Sequence, residues 1–248
     1  MDRRIGLGRL AVVILGLVVG GVGGSAEARQ SAGGRESWDA IYVGGKRVGY
    51  FHTSVTPLQE RGKSYVRVQV DMALTFRRGR DLVTIDTLYG TIETPDGEVL
   101  RLDSRTAASK TETRIFGDVR DGKMTLTLEG TGEKQTQTID WGPHVRGPYG
   151  AEMSMARRPM QPGESREISI FIPDLNRIGL AKLQAQQREV ITLGGGVKRE
   201  LLRVAQSTWH DGKPVPGMDQ TLWVDETGQI LKSHLDILGG MDTYRTTK

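Results

Sequence analysis

The chain has 248 residues, carries 34 Lys and Arg against 30 Asp and Glu for a net charge of +4, and contains no cysteine. The lack of thiols excludes a cysteine nucleophile, a Cys-ligated zinc centre and a dithiol redox pair. The positive excess is small and dispersed, with neither a long basic stripe nor interleaved aromatics, which argues against nucleic acid as a partner.

The first element reads as an export signal. Arg3, Arg4 and Arg9 give a basic start, Leu10 to Val22 is an almost unbroken apolar run, and Ala26-Glu27-Ala28 supplies a small-x-small cleavage pattern. The apolar run is about 13 residues, short of the roughly 20 that a spanning helix needs. Residues 1–28 are therefore expected to be a signal peptide, and the mature chain a periplasmic or secreted protein with no stable membrane span. Residues 29–37 are polar and Gly-rich and read as a flexible lead-in. Without disulfides, the remaining 38–248 must be stabilised by burial in its own core.

From Trp38 onward the dominant period is two. Val66, Val68, Val70, Met72, Leu74 and Phe76 alternate with more polar neighbours, as do Met124, Leu126 and Leu128, and again Ile168, Ile170 and Ile172. Successive side chains of a strand point to opposite faces, so each segment buries one side and wets the other. Asp96-Gly97, Asp121-Gly122 and Asp211-Gly212 are hairpin dipeptides that tolerate positive φ, and Gly44-Gly45, Gly194 to Gly196 and Thr227-Gly228 fit the same role. The basic run Arg77-Arg78-Gly79-Arg80 reads as a solvated turn. The expected fold is all-β: a large curved antiparallel sheet of roughly ten to thirteen hairpin-connected strands, a half-barrel in outline, with at most one or two short helices. Tyr149 to Arg157, between Pro148 and Pro159, is the helix candidate. Leu180 to Glu189 has helical propensity but runs into Val190-Ile191-Thr192-Leu193 and a glycine turn, which favours a strand. Met160 to Glu164 is a pivot where two sheet regions could meet, near 158–165.

Candidate chemistry is sparse. His52, His144, His210 and His234 lack the i, i+2 or i, i+4 spacing of a local metal site, so neither a metal nor a cofactor is expected. Asp140-Trp141-Gly142-Pro143-His144 brings an acid, a base and an aromatic together, and Asp140 could orient His144 as a general base. No serine, however, lies in a Gly-x-Ser-x-Gly elbow. No catalytic residue is assigned. Trp38, Trp141, Trp209 and Trp223 could stack sugars, but scattered without a repeat they are assigned to the core, Trp223 most clearly. The stiff loop between Pro143 and Pro148 is the preferred binding surface, with Trp141, His144, Arg146 and Tyr149 as its ligand-binding residues.

Three segments together carry a resemblance: Ala40 to Tyr50 (AIYVGGKRVGY), Ile139-Asp140-Trp141 through Gly147-Pro148-Tyr149, and Leu222-Trp223-Val224-Asp225 through Gly228-Gln229-Ile230-Leu231-Lys232. In order they resemble the non-catalytic β-rich region upstream of transglutaminase-like domains in exported, planctomycete-type bacterial proteins. Met160-Gln161-Pro162-Gly163-Glu164 falls where such regions often carry a Pro-Gly turn. The resemblance implies an accessory module, either stand-alone or left by a shortened gene. The thiol site of the family has no counterpart here, so no catalytic residue carries over. A looser similarity to lipoprotein-carrier-like curved sheets implies a concave apolar face able to hold an acyl chain. Three readings follow. One is an exported, non-enzymatic β-sheet module binding a partner protein, an apolar ligand or a glycan in the bacterial cell envelope. The others are a periplasmic acyl-chain carrier and a hydrolase using Asp140 and His144.

Overall fold

The computed structural model describes residues 34–108, 111–130 and 132–246. The proposed signal peptide lies outside the described residues. A strand already begins at Arg35, so the lead-in expected through residue 37 ends earlier.

The chain first forms a meander of eight strands: β1 (Arg35–Val43), β2 (Lys46–Glu60), β3 (Lys63–Arg78), β4 (Asp81–Glu93), β5 (Val99–Ala108), β6 (Thr111–Arg120), β7 (Lys123–Glu129) and β8 (Gln135–Asp140). A loop and one helix, α1 (Gly150–Arg157), then lead into β9 (Ser165–Ile172) and β10 (Arg177–Thr192). The remaining strands are β11 (Lys198–His210), β12 (Lys213–Pro214), β13 (Gln220–Val224), β14 (Ile230–Leu235) and β15 (Met241–Thr246). All 15 strands belong to one sheet, ordered β8-β7-β6-β5-β4-β3-β2-β1-β15-β14-β13-β11-β10-β9, with β12 beside β11. The expected all-β, antiparallel, hairpin-linked architecture is what the structure has, with more strands than the turn spacing suggested. The segment around 158–165 does not divide two sheets, because β1 and β15 pair directly, Ile41 opposite Thr243.

Alternation sets which face is inside. Val68, Val70, Met72 and Leu74 of β3 join Ile41, Phe51, Val83, Ile85 and Tyr89 in one cluster. Met124 and Leu126 join Leu102 and Trp141 in another. Ile170, Ile172, Leu202, Val204, Leu222 and Val224 join Ala151 and Met155 of α1 in a third. Leu180 to Glu189 lies within β10, where the cross-strand partners outweigh its helical propensity. α1 lies where Pro148 and Pro159 bracket it, and its buried residues fill the interior of the curl.

The two edges of the sheet come together. Phe171 of β9 packs with Met124 and Leu126 of β7, and the Gln137 side-chain amide on β8 donates to the Asn176 carbonyl at 3.5 Å. The result is barrel-like. Among the described residues no helix is long and apolar enough to cross a membrane.

The tryptophans depart from expectation. Trp141 is buried, whereas Trp38, Trp209 and Trp223 are half-buried. Trp223 lies between Leu222 and Val224, both in the core, so strand alternation turns its ring outward.

Candidate functional site

The loop from Trp141 to Tyr149 carries the chain from edge strand β8 to α1, and it is held at both ends. The Trp141 N–H donates to the Gly122 carbonyl at 2.7 Å, and its ring packs 5.8 Å from that of Phe171. Further along, Arg146 forms an isolated parallel bridge with Ile170. Its N–H donates to the Ser169 carbonyl and its carbonyl accepts from the Phe171 N–H, both at 2.9 Å. The loop thereby occupies part of the free edge of β9, which would otherwise offer unpaired backbone groups.

The four residues assigned to binding from sequence divide into pairs. Trp141 and Tyr149, each 6% exposed, belong to the core. Tyr149 is pushed well above the usual phenol pKa, by burial first and then by the nearby Glu152 carboxyl. His144 and Arg146 instead line a cleft of about 370 Å³ between α1, β9 and the turn after β4. Its walls also carry Arg157, Arg158, Arg166, Glu93 and Glu167, with Gly97, Gly147 and Gly150 at close approaches.

Electrostatically the cleft favours anions: four arginines face two glutamates. Arg166 is committed to structure, donating to Glu164 and to the Ser154 carbonyl and hydroxyl. Arg158 reaches Glu164 at 2.6 Å but is 73% exposed. Arg157 donates to the carbonyls of Asp96 and Pro95 at 2.9 and 3.0 Å, and Arg146 to that of Pro143 at 3.0 Å. These carbonyls orient the guanidinium groups without neutralising them. Both side chains pass close to Gly97: a Cβ there would lie 3.0 Å from Arg157 Nη1 and 3.5 Å from Arg146 Cδ. Glu93 accepts from the Thr91 hydroxyl at 2.7 Å. Burial nevertheless raises its pKa against the lowering effect of that bond and of Arg157 and Arg146. The cleft can hold a carboxylate or phosphate oxygen by charge-assisted hydrogen bonds.

Asp140 and His144 do not form an acid–base pair. Both are exposed, and among the described residues no hydrogen bond joins them. A second histidine is more tightly held: His234 Nδ1 lies 3.0 Å from Asp242 and Nε2 lies 3.1 Å from Asp236. Among the described residues no group of three or more His, Asp or Glu side chains is arranged to hold a metal ion. Arg157, Arg158 and Arg166 escaped the sequence reading because the cleft is assembled from three separated elements. The adjacent pair Arg157-Arg158 was its one local signal.

The fold and cleft together define a β-barrel-like protein with a single continuous antiparallel sheet and a cationic pocket on its closing loop. No protein-family model matches the sequence, and no curated protein matches it. The chain is similar in fold to a beta-barrel-like protein of domain of unknown function DUF1849 from Brucella abortus. That protein is 14% identical over 86% of this chain and 95% of its own, with a TM-score of 0.60. A DUF1089 family protein from Pseudomonas aeruginosa aligns over 85% of this chain and 94% of its own, at 11% identity and a TM-score of 0.32. The first likeness shows the fold; the second is too remote to add to it.

Proposed function

We propose that the protein is a non-enzymatic module, exported to the bacterial cell envelope, that binds an anionic partner group through the arginine cleft. The observation that carries this reading is the pair Arg146 and Arg157, set side by side at Gly97 and bonded only to backbone carbonyls. Export is supported by the basic start, the apolar run and the Ala26-Glu27-Ala28 pattern. The accessory role implied by the transglutaminase-associated resemblance fits a module that acts by contact.

The interior offers less support for an acyl-chain carrier. Beside Tyr149 and Glu152 the curl leaves a cavity of about 40 Å³, space for a few waters and not for a hydrocarbon chain. Hydrolysis through Asp140 and His144 lacks the pairing it needs.

The test is capture from an envelope lysate with the wild-type protein and with Arg146→Glu/Arg157→Glu. We expect one acidic component to be enriched, and to be lost both in 0.5 M salt and with the charge-reversed protein. Equal enrichment by the two proteins removes the cleft as the site. Turnover of ester, peptide or glycoside substrates that disappears in His144→Ala replaces binding with catalysis.

A further inference from the structure

A row of aromatic rings crosses the outer face of the sheet, independent of the cleft. Core residues fix which face is outer. Ile41, Phe51, Met241, Leu222 and Val224 are interior, so Tyr50, Tyr244 and Trp223 project the other way. Pairing then places them in line. Trp223 is opposite Lys232, Lys232 opposite Tyr244, Tyr244 opposite Ala40, and Ala40 opposite Tyr50. Rings thus occupy alternate strands, β13, β15 and β2, and two strand spacings separate them by about 10 Å.

The positions between the rings are an ammonium group and a methyl group. Lys232 Nζ lies over the Trp223 ring, 4.5 Å from its centre, and over that of Tyr244 at 5.2 Å, and so already covers part of both. Ala40 is buried between its larger neighbours. Neighbouring rings fix the orientation of the tyrosines: Tyr42 meets Tyr244 edge-on at 5.6 Å, and Trp38 lies 5.3 Å from Tyr50. Along one flank of the row stand Asp242 and His234, which are cross-strand partners. None of the exposed large hydrophobic residues falls in the row.

We infer that this row is a docking track for an extended β-linked polysaccharide. A pyranose ring has an apolar face of C–H bonds and a rim of hydroxyls, so it stacks on an aromatic face while its rim meets polar neighbours. In a β-1,4-linked chain successive sugars are flipped, so the same face recurs once per disaccharide, a repeat close to two strand spacings. An α-linked chain coils and cannot keep step with a straight row. A protein hot spot would instead gather its rings in a central desolvated pocket, and a lipid surface would call for exposed aliphatic side chains beside them. Lys232 adds a cation that favours sugars bearing carboxylate or acetamido oxygen at its position.

The experiment is calorimetric titration of the purified chain with cellohexaose, with the hexamer of N-acetylglucosamine, and with α-linked maltohexaose. We expect at least one β-linked hexamer to bind, its dimer to bind tenfold or more weakly, and maltohexaose not to bind. Trp223→Ala, Tyr244→Ser and Tyr50→Ser are each expected to weaken the hexamer fivefold or more, while Phe116→Ala, an exposed aromatic far from the row, leaves it unchanged. Should Trp223→Ala fail to fold, the two tyrosine variants test the same track. Absence of binding by both β-linked hexamers, equal binding of maltohexaose, or affinity untouched by the row substitutions overturns the inference. Vesicle binding that is lost in Tyr244→Ser, without oligosaccharide binding, reassigns the row to a lipid surface.

Discussion

Glu152 sits inside the curl on α1, 3% exposed, and neither carboxyl oxygen is hydrogen-bonded to another residue. Burial pushes its pKa well above the usual carboxylate range. Asp39 is likewise raised, to about 6, because burial outweighs the attraction and hydrogen bond of Arg245. In both cases the folded protein holds its proton more tightly than the unfolded chain does. Their contribution to stability is therefore complete below about pH 4 and is lost as pH rises, for Asp39 through about pH 6. Replacing Glu152 with Met removes an unsatisfied polar group and should raise stability by about 1–3 kcal/mol. Urea unfolding at pH 5 and pH 8 checks this: the gain should be larger at pH 8, and a loss at both values means the carboxyl has a partner. His234 moves the other way in charge. Burial lowers its pKa, but the hydrogen bonds and charges of Asp242 and Asp236 carry it above the ordinary value. Its NMR titration midpoint should therefore exceed about 6.5 and fall in Asp242→Asn. None of these environments was legible from sequence. Period two located the buried face of β3 residue by residue, but it names no partner across the sheet, and partners decide a titration.

Hairpins were the most legible elements, for a stereochemical reason. Asp121-Gly122 and Asp211-Gly212 have positive φ at both residues, the geometry that two-residue turns impose and that Asp and Gly tolerate. Arg61-Gly62 makes the same turn without a turn-forming first residue, and it passed unnoticed. Two less regular elements invite tests. The turn between β13 and β14 is knotted by Asp225, whose Oδ1 accepts from the Thr227 N–H and hydroxyl and from the Gln229 N–H. This presses Gly228 against the end of α1. A Cβ there would lie 2.1 Å from the Met155 carbonyl oxygen, at a φ of +83°. Gly228→Ala should cost about 2–4 kcal/mol, read as a lowered urea midpoint. A wild-type midpoint would mean that α1 is not docked there. The second element is the loop strand at Arg146. Arg146→Pro removes the N–H that bonds Ser169, and should lower stability by about 1–2 kcal/mol while freeing the β9 edge to self-associate. Arg146→Ala retains that N–H and should remain in its original oligomeric state by light scattering. Association of both variants alike would show that the guanidinium, not the backbone bond, guards the edge.

At the scale of the molecule, the two runs of strands are joined through the pairing of β1 with β15. The strands β1 to β8 and β9 to β15 are each built from sequence-local pairings, and among the described residues β1 with β15 is the strand ladder that joins them. Sequence periodicity could show that the chain was pleated throughout but not that Trp38 would face Thr246, since register between distant strands leaves no local trace. The seam is reinforced from inside: Arg245 Nε donates to Asp39 at 2.9 Å, and Leu235 and Met241 join the cluster of Ile41 and Phe51. At the edges the halves also meet in the packing of Phe171 and Trp141 on Met124 and Leu126 and in the hydrogen bond from Gln137 to the Asn176 carbonyl. The third cluster draws its residues from α1 and the strands after it, so β9 to β15 possesses a core of its own. β15 is paired on both sides from Met241 to Tyr244, so proline at a central position such as Thr243 removes a ladder bond. Thr243→Pro also deletes the hydroxyl bonded to Ser233 at 2.7 Å, and should cost about 3 kcal/mol or more. Single-tryptophan versions of the protein, retaining either Trp141 between the halves or Trp209 on β11, report the two regions separately. With an intact seam their urea transitions should coincide. In Thr243→Pro the Trp141 signal should be lost at lower urea than that of Trp209, as the halves part before the carboxy-terminal core melts. Coincident transitions in that variant would show that packing across Phe171, and not the β1–β15 ladder, makes the molecule a single cooperative unit.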